Sequence, residues 1–352
     1  MSHSASEYVG SIHLHTAASD GAATHEEVAH LASLSGLDFL IVTDHNVLIA
    51  GLDGWYGECL LLVGEEIHDT KRVPQANHYL AFGIEKHIRG DHTAPQDVID
   101  AVNAQGGFGF IAHPFEHSPL FTKEPDLPWL DWEATGYAGL EIWNYMSEFK
   151  SYLHNRQRAL LLVLCPPIAI TGPFPKTLAR WDELLSHRKT AAIAGTDVHG
   201  NTYSLGLLRR AILPYQHCFR TVRTHIITSQ PLKRELEHDR ALVYQALRNG
   251  SCFVAYDAIG DSRGFRFTAQ SGGSSAAMGG EISLSGEVEF AVSSPLKADL
   301  RLLKDGQVVA RERGKILRHT AQEAGVYRVE ARRKHLFKSR GWVFTNPIYV
   351  RP

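Results

Sequence analysis

The sequence predicts an α/β protein: a barrel of alternating strands and helices, followed by a small all-β domain. Three observations carry that expectation. Seven short runs rich in Ile, Val, Leu or Phe recur through the first two-thirds of the chain. Helical patterns with recognisable caps separate most of them. After about residue 261 the pattern changes to period two, the mark of half-buried antiparallel strands.

The runs are 10–16 (GSIHLHT), 39–45 (FLIVTDH), 60–67 (LLLVGEEI), 77–83 (NHYLAFG), 107–114 (GFGFIAHP), 139–144 (GLEIWN) and 191–199 (AAIAGTDVH). Short, nearly continuous apolar stretches of this kind suit strands buried on both faces. Between them, Thr24 and Glu27 form a capping box, apolar positions follow at Val28, Leu31, Ala32 and Leu34, and Gly36 stops the helix. Pro95 opens a helix over 96–104 that Gly106 and Gly107 close. Two more helices are predicted over 151–164 and 176–187, and another over 232–250. The third and fourth runs have only a loop between them. Strands alternating with helices imply a parallel sheet. Polar residues gathered at the strand C-termini suggest a (β/α) barrel with its site on that face, by analogy with eight-stranded barrels.

The remainder reads FRFTAQ, EISLSGEVEFAV, ADLRLLKDGQVVARE, GVYRVEARR and WVFTNPIYV, with Asp305–Gly306 as a hairpin signal. The expected division is residues 1–261 for the barrel and 262–352 for a small sandwich. Residues 271–280 (SGGSSAAMGG) are expected to form a flexible loop or linker.

Composition excludes several classes. A net charge of −2, from 36 basic and 38 acidic side chains, gives no basic surplus for a nucleic-acid backbone. No apolar run approaches the roughly 20 residues of a membrane helix. The N-terminus has neither a basic nor an apolar leader region, so a cytoplasmic protein is expected. Cys59, Cys165, Cys218 and Cys252 are far apart, form no CxxC pair and read as free thiols in a reducing compartment.

The 20 histidines stand out, and their positions are informative. His13 and His15 alternate on the first run, so their imidazoles project to the same side; alone, such a pair could equally be two exposed strand histidines. Asp20 follows within one loop. His45 ends the second run beside Asp44 and Asn46. Glu65 and Glu66 end the third, His78 sits in the fourth, His113 ends the fifth, Glu141 lies in the sixth, and Asp197 and His199 end the seventh. Charged or imidazole groups at the ends of apolar strands are costly unless paired or metal-bound. Their recurrence in one register on nearly every strand points to a metal centre.

These motifs, HLHT…SDG, TDHN, GEEI, AHP and GTDVHG, resemble the PHP (polymerase and histidinol phosphatase) family over residues 7–200. The resemblance implies a distorted (β/α)7 barrel with two or three divalent metal ions, manganese, iron or zinc. It implies that His13 and His15 bind a first metal with Asp197 opposite. Glu66, the acid after Gly-x, would be the bridging carboxylate, with Glu65 facing the barrel wall or solvent. His113 would bind a second metal, with His78 near it. Asp20, His45 and His199 would bind a third, or contact phosphate and leaving group. Glu141 is placed behind the ligands as their support, and Asp44 and Asn46 orient neighbours. His25, His30, His154, His187, His238 and His335 are read as structural. His68 and His117 reach the pocket rim without binding metal.

The implied chemistry is attack of metal-activated hydroxide on a small phosphorylated substrate, an EC 3.1-type phosphoesterase, with His199 or His45 protonating the leaving oxygen. No GxSxG elbow or P-loop offers another route. Lys150, Arg156 and Arg209 are the nearest cations in sequence for holding phosphate. The β-domain and the GLEIWN strand are similar to a branch that includes carbaryl (carbamate ester) hydrolases. The same site could therefore cleave carboxylic or carbamate esters, with Phe115, Trp143 and Tyr145 as apolar pocket groups. A non-catalytic, metal-stabilised scaffold is the alternative of another class.

Overall fold

A computed structural model describes residues 5–119, 125–205 and 208–352, without the side chains of 203–210. The strands of the first part are β1 Ser6–Ile12, β2 Phe39–His45, β3 Gly54–Tyr56, β4 Cys59–Ile67, β5 Tyr79–Phe82, β6 Phe108–Ile111, β7 Gly139–Asn144, β8 Ala191–Gly195, β9 Thr202–Leu205, β10 Leu208–Ala211, β11 Val222–Thr228 and β12 Cys252–Tyr256. The helices are α1 His25–Leu34, α2 Pro95–Ala104, α3 Tyr145–Ser151, α4 Arg156–Leu164, α5 Pro175–His187, α6 Tyr215–Cys218 and α7 Leu236–Asn249. The last part holds β13 Arg266–Ser271, β14 Ser274–Ala277, β15 Glu281–Ser283, β16 Val288–Lys304, β17 Gln307–Ala321, β18 Gly325–His335, β19 Lys338–Thr345 and β20 Ile348–Arg351.

The protein is a mixed α/β molecule with one large sheet. Local signals set the helix ends. The Thr24–Glu27 capping box forms as the sequence requires, Pro95 and Pro175 open α2 and α5, and Gly250 ends α7 at φ 69°, where a Cβ would be strained. The expected helix over 151–164 is instead two, α3 and α4. Asn144 and Asn155 each cap one through their side-chain oxygens, so the polar stretch between them starts a second helix.

Strands β1, β2 and β4 pair in parallel, as do β6, β7 and β8. The wholly parallel expectation fails at β5, which is antiparallel to both β4 and β6. The β4–β5 connection carries no helix to return the chain to its starting end, so direction reverses. Beyond β8, hydrogen bonds from Thr196 N to Ile12 O (3.2 Å), Asp197 N to His13 O (2.7 Å) and His15 N to Val198 O (3.0 Å) bring the row back to β1. On one face of these strands Ile12, Phe39, Ile41, Leu62 and Phe110 pack with Val243 and Leu247 of α7. On the other, Leu40, Val42, Leu61 and Leu140 pack with residues of α1, α2 and α5.

The β-rich C-terminal part is continuous with this sheet, because β12 pairs antiparallel with β11 and with β19. Phe253 and Ala255 of β12 belong to the same apolar cluster as Phe267, Val292, Leu302, Val329 and Trp342. Buried Asn346 ties the parts together: its Oδ1 accepts from Ala192 N at 2.8 Å, and its Nδ2 donates to Ala192 O at 2.9 Å and Cys252 O at 3.0 Å. Residues 271–280 are not a linker. Ser271 pairs with Ser274 at the end of a β13–β14 hairpin, and Gly272 and Gly273, at φ 53° and 81°, supply the tight turn. All four cysteines are free thiols. Among the described residues no helix is long and apolar enough to cross a membrane.

Candidate metal centre

Strand direction explains why these side chains meet. His45 is the last residue of β2 and Glu66 the penultimate residue of β4, while His113 and Asp197 each follow a strand end by two residues. His78 precedes β5, and because β5 runs backwards its beginning lies at the end where its neighbours finish.

The HLH pair converges by a route that strand alternation does not describe. β1 ends at Ile12, and His13 has φ 62°. His113 and Asp197 also take positive φ, 26° and 54°, a region that side chains with a Cβ rarely enter. Three unfavourable backbones at one cluster are held by tertiary contacts, the usual mark of a site whose geometry outweighs local strain. The crowding also fixes Gly195. A Cβ there would lie 1.9 Å from Glu141 Oε1 and 2.6 Å from His13 Cβ. Gly195→Ala is therefore expected to displace both side chains and weaken metal affinity at least about tenfold, read by metal titration.

Glu66 sits at the middle and is wholly buried. Its Oε2 lies 3.1 Å from His13 Nε2, 3.2 Å from His15 Nε2 and 3.2 Å from His45 Nδ1. Its Oε1 lies 2.7 Å from His78 Nδ1 and 3.2 Å from His113 Nε2. Asp197 Oδ1 is 3.1 Å from His15 Nε2 and 3.4 Å from His13 Nε2. Asp20 Oδ1 approaches His199 Nε2 at 3.3 Å, and its Oδ2 lies 3.8 Å from His45 Nε2. All nine residues expected at the centre are thus brought together. Glu65, one residue from Glu66, points away: it is fully buried against His87 Nδ1 at 2.5 Å rather than facing solvent.

Behind this cluster, Glu141 Oε1 holds His13 Nδ1 at 2.9 Å, and its Oε2 accepts from His113 N and from Asn144 Nδ2. Asp44 accepts from Thr16 N, Thr16 Oγ1 and Ser19 Oγ, at 2.7, 2.6 and 2.6 Å, and so fixes the loop that carries Asp20. Asn46 Oδ1 accepts from His68 N at 3.1 Å. His25, buried, packs its Nε2 3.3 Å from Asp44 Oδ2. Sequence reasoning missed Tyr215, whose hydroxyl lies 2.7 Å from His15 O and 2.8 Å from His199 O. It joins two site segments from a distant helix, and no local pattern marks it.

The donor set fits divalent cations. A carboxylate offers about four lone-pair sites, yet five imidazole nitrogens crowd Glu66. Buried His15 Nδ1, His68 Nδ1 and His78 Nε2 have no hydrogen-bond partner. Among the described residues, ligand atoms lie within 4.8 Å of one another in five sets: His13, His15, Glu66 and Asp197; Glu66, His78 and His113; His15, Asp20, His45 and His199; His45, His68 and His78; and His113, Glu116 and Asp197. Burial opposes ionisation of Glu66 and Asp197, but the surrounding histidines outweigh it and hold both far below the usual carboxylate range. Burial, with His15, His78 and His68 alongside, pushes His45 down to about 3, which leaves a neutral ring.

The centre is the floor of a cavity of about 690 Å³. His68, expected only at the rim, lines it and stacks on His78 with ring centroids 4.1 Å apart. His117 does not line it and is exposed. Glu116 and Lys150 do line it. Lys150 Nζ is 2.6 Å from Glu116 Oε1, and Ser147 donates to the other oxygen. Arg156 is exposed and apart from the cavity, and the side chain of Arg209 lies outside the described residues. The expected apolar groups are elsewhere. Phe115 stacks on Trp132, while Trp143 and Tyr145 are buried with polar atoms bound to Glu148 and His217. The cavity's apolar side comes instead from Leu127, Met146, Phe149, Leu153, Val163 and Ile212.

No protein-family model and no curated protein matches the chain. Several solved structures are similar to it, among them the following three. A metal-dependent phosphoesterase candidate from Bifidobacterium adolescentis is 17% identical, with 54% of this chain and 87% of that chain covered and a TM-score of 0.35. An amidohydrolase from Chromobacterium violaceum, solved with sulfate and no metal, is 14% identical, covering 54% and 87%, with a TM-score of 0.32. A two-domain protein from Bacteroides vulgatus, described as containing a predicted PHP-like metal-dependent phosphoesterase, is similar over 97% of this chain and 95% of its own, at 13% identity and a TM-score of 0.48.

Proposed function

We propose that this protein is a metal-dependent hydrolase of the PHP type that cleaves a phosphoester on a small molecule. In this reading residues 1–261 form a distorted (β/α)7 barrel and 262–352 a small sandwich-like domain. The observation that carries it is the buried Glu66 carboxylate, ringed by nitrogens of His13, His15, His45, His78 and His113 at 2.7–3.2 Å. Such N/O donor sets suit manganese, iron or zinc. His13, His15, Glu66 and Asp197 would hold one ion, Glu66, His78 and His113 a second, and Asp20, His45 and His199 a third.

Bound divalent ions supply Lewis acidity: they neutralise charge on the attacked group and acidify water. The chain's own groups do the rest. Glu141, on His13 Nδ1, fixes the tautomer that turns the Nε2 lone pair inward. Where the third position holds no ion, Asp20 orients His199, which stands 20% exposed at the cavity wall and can hand a proton to a leaving oxygen, while His45, held neutral, is left as a contact rather than the donor. The apolar side of the cavity favours a second substrate chemistry at the same centre, a carboxylic or carbamate ester.

Metal content after expression with added Mn²⁺, Fe²⁺ or Zn²⁺ tests the reading, combined with assays on p-nitrophenyl phosphate, a phosphodiester analogue and a naphthyl ester. Two or three ions per chain and turnover of a phosphoester are expected. A metal-free protein sinks the proposal. A metal-replete protein inactive on all three leaves a metal-stabilised scaffold.

A further inference from the structure

The charge of the chain is unevenly spread. Residues 262–352 hold 16 Lys or Arg against 8 Asp or Glu, a net +8, while residues 1–261 hold 20 against 30, a net −10. The overall −2 conceals this polarity. The basic part also carries an apolar tip. β18 and β19 form a hairpin in which His335 pairs with Lys338, so Leu336 and Phe337 alone make the turn. Both take left-handed backbones, φ 47° and 64°. The β16–β17 hairpin turns in the same way, at φ 48° and 78°, with Asp305 and Gly306, the residue types such a turn favours. Leu and Phe adopt it only against steric resistance. Phe337 is 105% exposed, and among the described residues no large apolar side chain is more so. The fold therefore gains nothing by burying this ring, and Leu336 is also exposed. Lys334 and Lys338 are exposed beside the tip, with Arg332 and Arg333 half-buried behind them. The hairpin stands on a fixed base: buried Arg340 of β19 donates to the carbonyl oxygens of His335, Pro167 and Ile168.

We infer that this hairpin docks the protein on an anionic lipid bilayer, with Leu336 and Phe337 entering the acyl boundary and Lys334, Lys338, Arg332 and Arg333 facing the headgroups. The spacing fits. Strand residues rise about 3.4 Å each, so Lys338 and Lys334 follow the tip by about 3–7 Å. Interfacial elements sit about 5–10 Å deep in the boundary between headgroups and acyl chains, which leaves these cations at headgroup level. A convex two-residue tip needs no complementary pocket in a bilayer, whereas a protein partner would have to supply one. Neither half of the device suffices alone: a small inserted apolar group binds marginally, and the basic patch is the second signal that makes the attachment stable. Each Lys or Arg near an anionic surface adds about fivefold in affinity. Docking of this kind needs no spanning segment, and it is independent of the hydrolase reading.

The test is co-sedimentation of the metal-loaded full chain with vesicles of phosphatidylcholine alone or with about a third phosphatidylserine. The phosphatidylserine vesicles should bind at least about tenfold more tightly, and raising salt from about 0.1 to about 1 M should abolish the difference. Leu336→Asn/Phe337→Gly places favoured residues in the turn. It should fold with unchanged metal stoichiometry and an undiminished denaturant midpoint, yet lose at least about tenfold in vesicle affinity. Lys334→Ala and Lys338→Ala should each lose about fivefold. Binding to neither vesicle, equal binding to both, or undiminished binding in the double turn variant or in both lysine variants overturns the proposal. Retention on polyglutamate or RNA with no vesicle binding also overturns it, and gives the basic face to a soluble polyanion instead.

Discussion

Glu66→Gln is expected to empty the metal centre, while Glu65→Gln leaves it filled. The amide at 66 keeps the shape of the side chain but loses one anionic oxygen and turns an N–H toward imidazole nitrogens. Those nitrogens now lie 2.7–3.2 Å from the carboxylate. Even groups that only support metal ligands change affinity by about 10- to 100-fold, so loss of the central carboxylate should exceed about 100-fold in metal affinity and in turnover. His13→Ala and Asp197→Ala should behave alike. Glu65 contacts His87 Nδ1 at 2.5 Å on the other side of the strand. Its replacement should cost about 1–3 kcal/mol of stability with full metal stoichiometry. Metal analysis beside denaturant titration separates the two, and equal metal loss in both variants would refute the assignment.

Among single substitutions, His225 gives the largest expected stability effect. Its ring is wholly buried between two carboxylates, with Nδ1 2.9 Å from Glu7 Oε1 and Nε2 2.9 Å from Asp257 Oδ2. Both contacts require a proton on nitrogen, so the ring is an imidazolium. Burial opposes that charge, but Asp257 and Glu7 outweigh it and raise His225 above its ordinary value. Glu7 also takes Arg266 and the backbone N–H of Gly264, which ties β1 to the start of the C-terminal part. His225→Phe leaves two carboxylates facing an apolar ring and should cost about 3–5 kcal/mol, as removing one partner from a buried ion pair does.

The pH dependence follows from the directions of these shifts. A raised histidine contributes fully below its unfolded value of about 6.5, and the contribution is lost as pH rises through its higher folded value. Glu7 and Asp257 are depressed: burial raises them, and the His225 hydrogen bonds, with others, more than reverse it. Their share is present above about 4 and is lost as pH falls through the folded values. Wild-type protein should therefore lose stability on going from pH 6 toward 9 more steeply than His225→Phe. Parallel curves from denaturant melts would show that the ring is neutral. Deleting residues 262–352 should be worse still, because it uncovers Phe253 and Ala255 and removes Asn346 from Ala192 and Cys252. Insoluble or unfolded product is the expected outcome.

The sequence by itself determined the strand-and-helix order of the first part, the change to β structure after it, and which residues gather at the centre. These are local properties: apolar runs, caps and polar residues immediately beyond a buried strand. Tertiary structure decided what depends on partners far along the chain. Strand alternation says only that Glu65 and Glu66 face opposite ways; the family resemblance singles out Glu66, and the sheet is what turns it to the centre. The reversal of β5 and the left-handed backbones at His13, His113 and Asp197 rest on contacts that no window of sequence contains. The same holds for the apolar side of the cavity. Phe115, Trp143 and Tyr145 have the right composition for it, but packing turned them elsewhere, and Phe149, Leu153 and Val163 took that place. Which side chains converge was written in local pattern; how they are held, and what lies opposite them, was set by the way distant segments pack.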